Sequence, residues 1–326
     1  MEEAPGADTA EQSNALVTEF EDPDELAQVL RDADVRYLKL SSDRYAARIT
    51  SVDFGAVQFQ SVDESAHMPQ GAIGRDRIAL LYGLGPLSQD TRVNGATMDA
   101  SRAIILGQGT PIYSRVGGRI QWAALTFNAA AVYQMLDEQA LPRDGAFALH
   151  HLNHAAGSRL TRLSAEIDAI AMADPQRLTS SCVTRSLSET FFVLTARILE
   201  PGCLNARSVR ALHGRIRLVA EAEAFMAAQL HLPLYSEDIC AALDVSVRTL
   251  HDAFAAVHSM SLHRYLRLRR LNQVRSILRS GRTSQVKAAA LTAGFWHLGR
   301  FAQAYRDLFG ELPSQTLAHR RTPDPA

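Results

Sequence analysis

Two runs of the chain carry an apolar stripe at helical spacing, and one of them sets hydrogen-bonding side chains opposite it. In "GFWHLGRFAQAYRDLFGELPS", residues 294–314, Phe301, Tyr305 and Leu308 fall on one side of a helix while Arg300, Gln303 and Arg306 point elsewhere. In "SVRTLHDAF", Leu250 and Phe254 make the apolar side of another helix. Guanidinium and amide groups held like those of Arg306 and Gln303 suit the base edges and phosphates of a duplex, and the small Gly299 and Ala302 allow close approach to a groove. A third set is "RYAAR". There the spacing predicts Arg44 and Arg48 on one face of a strand, a two-pronged clamp for an anion, with Arg75, Arg77 and Arg102 adding to the same basic surface.

Catalytic and metal chemistry find less support. His150 and His154 in "LHHLNH" would share a helical face, but no carboxylate or cysteine lies near enough in sequence to complete a site, so a surface or capping role is the reading. Cys182, Cys203 and Cys240 are too widely spaced for a metal-ligand pair and odd in number, and are expected to be reduced. No nucleophile elbow, phosphate loop or zinc-hydrolase motif is present. The chain is therefore read as a non-enzyme without metal or cofactor.

Charge then divides the 326 residues. Up to residue 204 there are 17 Lys and Arg against 26 Asp and Glu; from 205 onward there are 17 against 9. A net charge of −1 thus hides an acidic half and a basic half, and the basic half is the one suited to a polyanion. With 47% hydrophobic residues the chain can bury a substantial core, yet it has no uninterrupted apolar run of membrane length. Its acidic start, "MEEAPGADTAEQ", is unlike a signal sequence, so a cytoplasmic protein is expected.

The elements that must carry these residues follow from the patterning. Residues 1–20 are small, polar and acidic and are expected to form a disordered arm. Residues 21–200 open with a short capped helix, continue through β-rich runs such as "RIALLYGL" and "PIYSRVGGRIQWAALTFN", and pass at about 129 into helical periods. Residues 201–212 read as a linker after Pro201-Gly202, and 213–326 as helices. Among those helices a single device occurs twice. Ser236 opens a helix with Ile239 and Leu243, Val245 plugs the turn, and Ser246 caps the helix of Leu250 and Phe254. In "TSQVKAAALTAGF", small alanines pack and Gly294 supplies a left-handed turn before the next helix. Between the two, "LHRYLRLRRLNQVRSIL" turns Leu271, Val274 and Leu278 inward and Arg267, Arg270, Arg275 and Arg279 outward.

At these residues the sequence strongly resembles the AraC/XylS family of transcriptional regulators, over about 212–320. The resemblance implies a seven-helix, bipartite DNA-binding domain in which the second helix of each unit contacts bases. Carried over position by position, it puts base-reading roles on Arg248, His251 and Asp252 and on Leu298, Gly299, Ala302 and Gln303, and phosphate contacts on His297, Arg300 and Arg306. The chain departs from the family pattern at His251 and Asp252, where longer polar or basic residues are common, and at His297, which replaces a frequent serine cap. Asp252 cannot attract a phosphate and would at best accept from a cytosine amine.

Residues of about 24–160 more weakly resemble the family's regulatory domain, a cupin-like β-barrel followed by dimerising helices, here "RLTRLSAEIDAIAMA" and "SLSETFFVLTARIL". The expected fold is α+β: an N-terminal cupin-like β-barrel with dimerisation helices and a C-terminal all-α double helix-turn-helix domain. A metal enzyme on such a barrel needs several histidines, and the strand region holds only His67. The resemblance implies operator DNA, RNA polymerase and a second copy of the chain as partners, with no membrane. The effector is open among three readings. Phe54, Phe59, Tyr82, Tyr113 and Trp122 could wall an apolar site, or be ordinary core. Arg44 and Arg48 resemble the Arg-x-x-x-Arg element of PilZ-type receptors for cyclic di-GMP, with Asp99 and Ser101 in "DASR" matching part of the second element, although Ile104 replaces its glycine. In the third reading a protein partner controls the regulator.

Overall fold

The computed structural model describes residues 15–319 apart from 137–140, 153, 201–205, 231 and 233. Runs rich in Val, Ile, Phe and Thr, cut by Gly, Asn and Asp, form antiparallel strands in two sheets. The larger has the order β1 (Ala15–Phe20), β3 (Ala47–Asp53), β4 (Val57–Glu64), β11 (Ile120–Asn128), β6 (Arg77–Gly83), β9 (Arg102–Leu106), β12 (Phe147–His151). The smaller runs β2 (Ala33–Leu38), β5 (Met68–Ile73), β10 (Pro111–Arg115), β7 (Arg92–Val93), β8 (Ala96–Thr97). The strands thus make two facing sheets instead of one closed barrel. A helix α1 (Pro23–Val29) precedes β2 and α2 (Ala129–Met135) follows β11.

Strand alternation gives the large sheet two dry faces. Along β11, Trp122, Ala124 and Thr126 face a cavity between the sheets. Ala123, Leu125 and Phe127 pack beneath α3 (His154–Ala173) and α4 (Ser181–Leu199), where Phe191 stacks on Phe59 at 5.9 Å and Phe192 meets Phe127 at 5.0 Å. The apolar stripes of the two expected dimerisation helices are therefore spent on the core of their own domain. What they leave outward is mixed, with Met172 and Val193 the exposed large apolar residues.

Several sequence expectations change. Part of the expected arm, residues 15–20, is strand β1 and pairs with β3 from Ala15↔Val52 to Phe20↔Ala47; residues 1–14 lie outside the described ones. The expected linker is only partly described, and helix α5 (Ala206–Ala228) already takes up its second half. Arg44 is not in a strand. The polar run Ser41-Ser42-Asp43 bends the chain, with Ser41 Oγ donating to Asp43 at 2.7 Å, and β3 starts only at Ala47. His150 lies in β12 while His154 opens α3, so the two share no helical face.

The remaining helices are α6 (Ser236–Leu243), α7 (Val247–His258), α8 (Leu262–Ser280), α9 (Val286–Thr292), α10 (Leu298–Phe309) and α11 (Pro313–His319). With α5 they make the seven-helix domain that the resemblance implies. This domain docks on the outer face of the small sheet and on β12 at the edge of the large one: Arg115 donates to Ser259 O at 2.5 Å, Lys39 N–H to Asn272 Oδ1 at 3.2 Å, and Phe147 N–H of β12 to His213 Nε2 at 3.2 Å. Asp22, which also caps α1, pairs with Arg279 and lies 3.8 Å from Arg275.

Candidate nucleic-acid interface

The first helical pair is built as its residues demand. Asp244 ends α6 in the left-handed region, at φ 52°, a conformation that Asp tolerates better than most residues. Ser246 then caps α7, its Oγ accepting from Thr249 N–H at 3.1 Å. Leu250, Ala253, Phe254 and Val257 of α7 are buried, so its polar side is left outward. The Arg248 side chain is 91% exposed and lies 3.8 Å from Asp252, itself 65% exposed, one turn on. His251 is half-buried, with Nε2 3.3 Å from Ser236 Oγ. Asp252 thus places a carboxylate at ion-pair distance from Arg248, a neighbour that the sequence expectations did not include.

The second pair uses smaller residues. Ala289, Ala290 and Ala293 are buried and let α9 approach its neighbours closely. Gly294 turns the chain at φ 77°, and a Cβ there would stand 2.7 Å from Leu230 O. Phe301, Ala304, Tyr305, Leu308 and Phe309 bury the inner side of α10, and Tyr305 exchanges a 2.8 Å hydrogen bond with Thr316 of α11. Leu298, Gly299, Arg300, Gln303 and Arg306 are exposed and Ala302 half-buried. Gln303 is held at both ends of its amide: Nε2 donates to Asp307 at 2.6 Å and Oε1 accepts from Arg306 at 3.0 Å. His297 takes the capping position but makes no side-chain cap bond, as expected when imidazole replaces a short hydroxyl.

Two residues join this face that the sequence pattern left out. Trp296 is 61% exposed beside His297, and Arg267 of α8 lines the same groove as Arg300 and Gln303. A tryptophan in the turn between Gly294 and the helix of Phe301 was the available signal. Half-burial takes two of the other outward arginines of α8 partly out of play, Arg270 donating to Leu232 O at 2.7 Å and Arg275 lying over the Phe309 ring at 5.0 Å, while exposed Arg279 pairs with Asp22.

The candidate anion residues are not brought together. Arg44 pairs with Glu21, Arg77 with Asp32 at 2.9 Å, and Arg102 with Asp99 at 3.3 Å. Ser101 Oγ donates to Asp99 at 2.6 Å, which helps hold that carboxyl below the usual range despite partial burial, and Arg75 is exposed in the turn before β6. β4 and β11 separate β3 from β6 by roughly 14 Å of strand spacing, and register sets Arg48 level with Gln121 but Arg77 level with Asn128, so the two are farther apart still. Arg48 instead shares a small cleft with Ser61 and Asp168, whose carboxyl burial pushes up.

The cavity between the sheets encloses about 100 Å³ and is almost wholly apolar. Of the five aromatics singled out, Trp122 lines it; Tyr82 borders it but bonds Ser164 of α3 at 2.8 Å and belongs with Phe54 and Phe59 to the core under α3 and α4, and Tyr113 turns towards the helical domain. Trp122 is fixed by donating to Glu64 at 2.6 Å, and that fully buried carboxylate also accepts from Tyr45 at 2.7 Å and lies 3.1 Å from His67. Among the described residues no group of three or more His, Cys, Asp or Glu is placed to hold a metal ion, and no helix is long and apolar enough to cross a membrane. Cys182 is exposed and Cys240 buried, both free thiols; Cys203 lies outside the described residues.

Residues 239–319 match the family model described as a helix-turn-helix domain. Over 76 residues the chain is 42% identical to XylDLEGF operon transcriptional activator 2 of Pseudomonas putida, covering 23% of this chain and 48% of that protein. Over 75 residues it is 41% identical to the XylDLEGF operon transcriptional activator of the same organism, covering 22% and 23%. A solved structure, a probable AraC family transcriptional regulator from Rhodopseudomonas palustris, is 36% identical and covers 32% of this chain and 99% of that one, with a TM-score of 0.30. The chain thus matches about half or less of the length of these curated relatives.

Proposed function

Starting from the chain's membership of the AraC/XylS family, we propose that it is a sequence-specific DNA-binding transcriptional regulator. In this reading α7 and α10 enter successive major-groove segments on one face of the duplex, joined by α8. The observation that carries it is the pairing of two turn-led helices in the basic half, each with its apolar side buried and Arg248 or Gln303 presented outward. The relatives' role as activators favours activation, with RNA polymerase as a partner and a homodimer acting in the cytoplasm. Asp252 and Asp307 act here as positioning residues, holding Arg248 and Gln303.

The N-terminal domain is the sensor, and its effector is a compact apolar molecule held between the sheets. Apolar walls and an anchored Trp122 favour this over cyclic di-GMP, because Arg44, Arg77 and Arg102 are already paired and dispersed. The test has two arms. Duplex affinity of the full chain should fall with salt at a log–log slope near −0.9 per phosphate neutralised, and absence of duplex binding even at low salt removes the DNA-binding reading. Aromatic and aliphatic probes should raise the melting temperature where cyclic di-GMP does not; the reverse would return the effector to the arginines, and no response to either would favour control by a protein partner.

A further inference from the structure

The small sheet is a wall with two clients. Its inner face lines the cavity and its outer face carries the helical domain. The strand period of two sorts neighbouring residues between them: Val35, Pro69 and Ile112 line the cavity, while Arg36, Gln70 and Tyr113, each one residue on, face the helices. Register makes those three a single row, since Arg36 lies opposite Gln70 across β2–β5 and Gln70 opposite Tyr113 across β5–β10.

Each member of the row meets a different helix. Arg36 lies 3.9 Å from Glu223 of α5, Gln70 Oε1 lies 3.0 Å from the Tyr265 hydroxyl of α8, and the Tyr113 ring stands edge-on to His258 of α7 at 5.3 Å. Behind the row, Glu223 accepts from Tyr265 and lies 3.1 Å from His258 Nε2, and the His258 and Tyr265 rings stack at 4.4 Å. Gln70, Glu223, His258 and Tyr265 are all buried. Buried polar groups cost stability where they lack partners, and Gln70 Nε2, His258 Nδ1 and Arg269 NH1 find no protein partner among the described residues. Plain adhesion between domains would be served better by an apolar face. Directional bonds instead specify one arrangement and are lost on a small displacement.

We propose that this row couples the cavity to the first reading helix. Occupancy of the cavity displaces β2, β5 and β10; the row transmits the shift to Glu223, Tyr265 and His258, and His258 ends the helix that carries Arg248, His251 and Asp252. Gly71 stiffens the path. It pairs with Val35 and Ile112 in the cavity-side row, and a Cβ there would stand 1.8 Å from Asp34 O, so β2 and β5 meet backbone to backbone and move together. The coupling rests on the cavity being the effector site.

The test uses the full chain without DNA. Ser114→Leu on the small sheet and Ala124→Leu on the opposite wall each fill the cavity in place of a ligand, and Ile112→Val perturbs it more gently from the loosening side. Hydrogen exchange is followed by mass spectrometry over α7 and the first half of α8, in variants that retain cooperative unfolding. At least one should change α7 exchange by about fivefold or more, the lower end of ordinary coupling between sites. The same substitution in a Gln70→Ala/Tyr113→Ala background should leave α7 as it is in that background. Unchanged α7 exchange in every folded variant, or an equal change with the row removed, overturns the coupling. A chain that binds no duplex while α7 still responds would refute the regulatory reading and leave the coupling standing.

Discussion

Replacing Arg248 by Ala separates what this side chain does for the fold from what it does for DNA. The side chain is 91% exposed, and its one ion pair, to Asp252 at 3.8 Å on the helix surface, contributes no more than about 0.5 kcal/mol to stability. The melting temperature of Arg248→Ala should therefore match the wild type closely. A guanidinium reading a guanine edge supplies about 1–3 kcal/mol of discrimination, so affinity for the cognate site should fall roughly 5- to 150-fold. Fragments of genomic DNA selected with the wild type provide that site, and fluorescence anisotropy against a scrambled duplex at several salt concentrations gives both numbers. The scrambled duplex should lose little, and the salt slope should hold. Equal losses on both duplexes, with the slope shallower by about 0.9, would make Arg248 a phosphate contact and refute the assignment. Asp252→Asn works in the opposite sense: with the carboxylate gone, binding to random duplex should tighten.

Arg306→Ala and Arg267→Ala should each weaken cognate and random DNA alike and lower the salt slope by about 0.9, measured in the same titrations. Gly294→Ala should destabilise the C-terminal domain by about 1–3 kcal/mol in denaturant unfolding, because φ 77° is unfavourable for alanine and its Cβ would press on Leu230 O. The chain has two tryptophans, so DNA should quench the emission of exposed Trp296, and that quenching should survive Trp122→Phe. Burial holds the His213 imidazole below its usual value of 6.5, and accepting from Phe147 N–H requires an unprotonated Nε2. A lowered folded pKa means that the stability this ring contributes is complete above 6.5 and lost as pH falls through 6.5 towards the folded value. His213→Phe should flatten the melting-temperature profile over that window; an unchanged profile would assign the pH dependence to other groups.

The double helix-turn-helix was legible because its signals are local. Ser246 at a cap, Gly294 at a left-handed turn and the spacing of Phe301, Tyr305 and Leu308 each fix a few residues around them. The strand-rich half was legible in kind but not in closure, since whether strands form one barrel or two sheets depends on pairings such as β1 with β3, which adjoin no turn in sequence. Aromatic alternation could not separate Trp122 on the cavity from Phe59 under α4, because both faces of the large sheet are dry. Regular spacing misled at Arg44, where a Ser-Ser-Asp bend delays the strand. The docking row lay beyond any local pattern: Gln70 and Tyr265 are 195 residues apart and read singly as a strand glutamine and a helix tyrosine.

The most direct measurement is a methylation-interference footprint of the full chain on its selected site. Reading by both α7 and α10 predicts interference at guanine N7 atoms in two major-groove segments on one face of the duplex, centred about one helical turn (~10 bp) apart. Arg248→Ala should clear contacts from one segment and Gln303→Ala from the other. Interference confined to one segment, or untouched by both substitutions, would contradict two-helix reading.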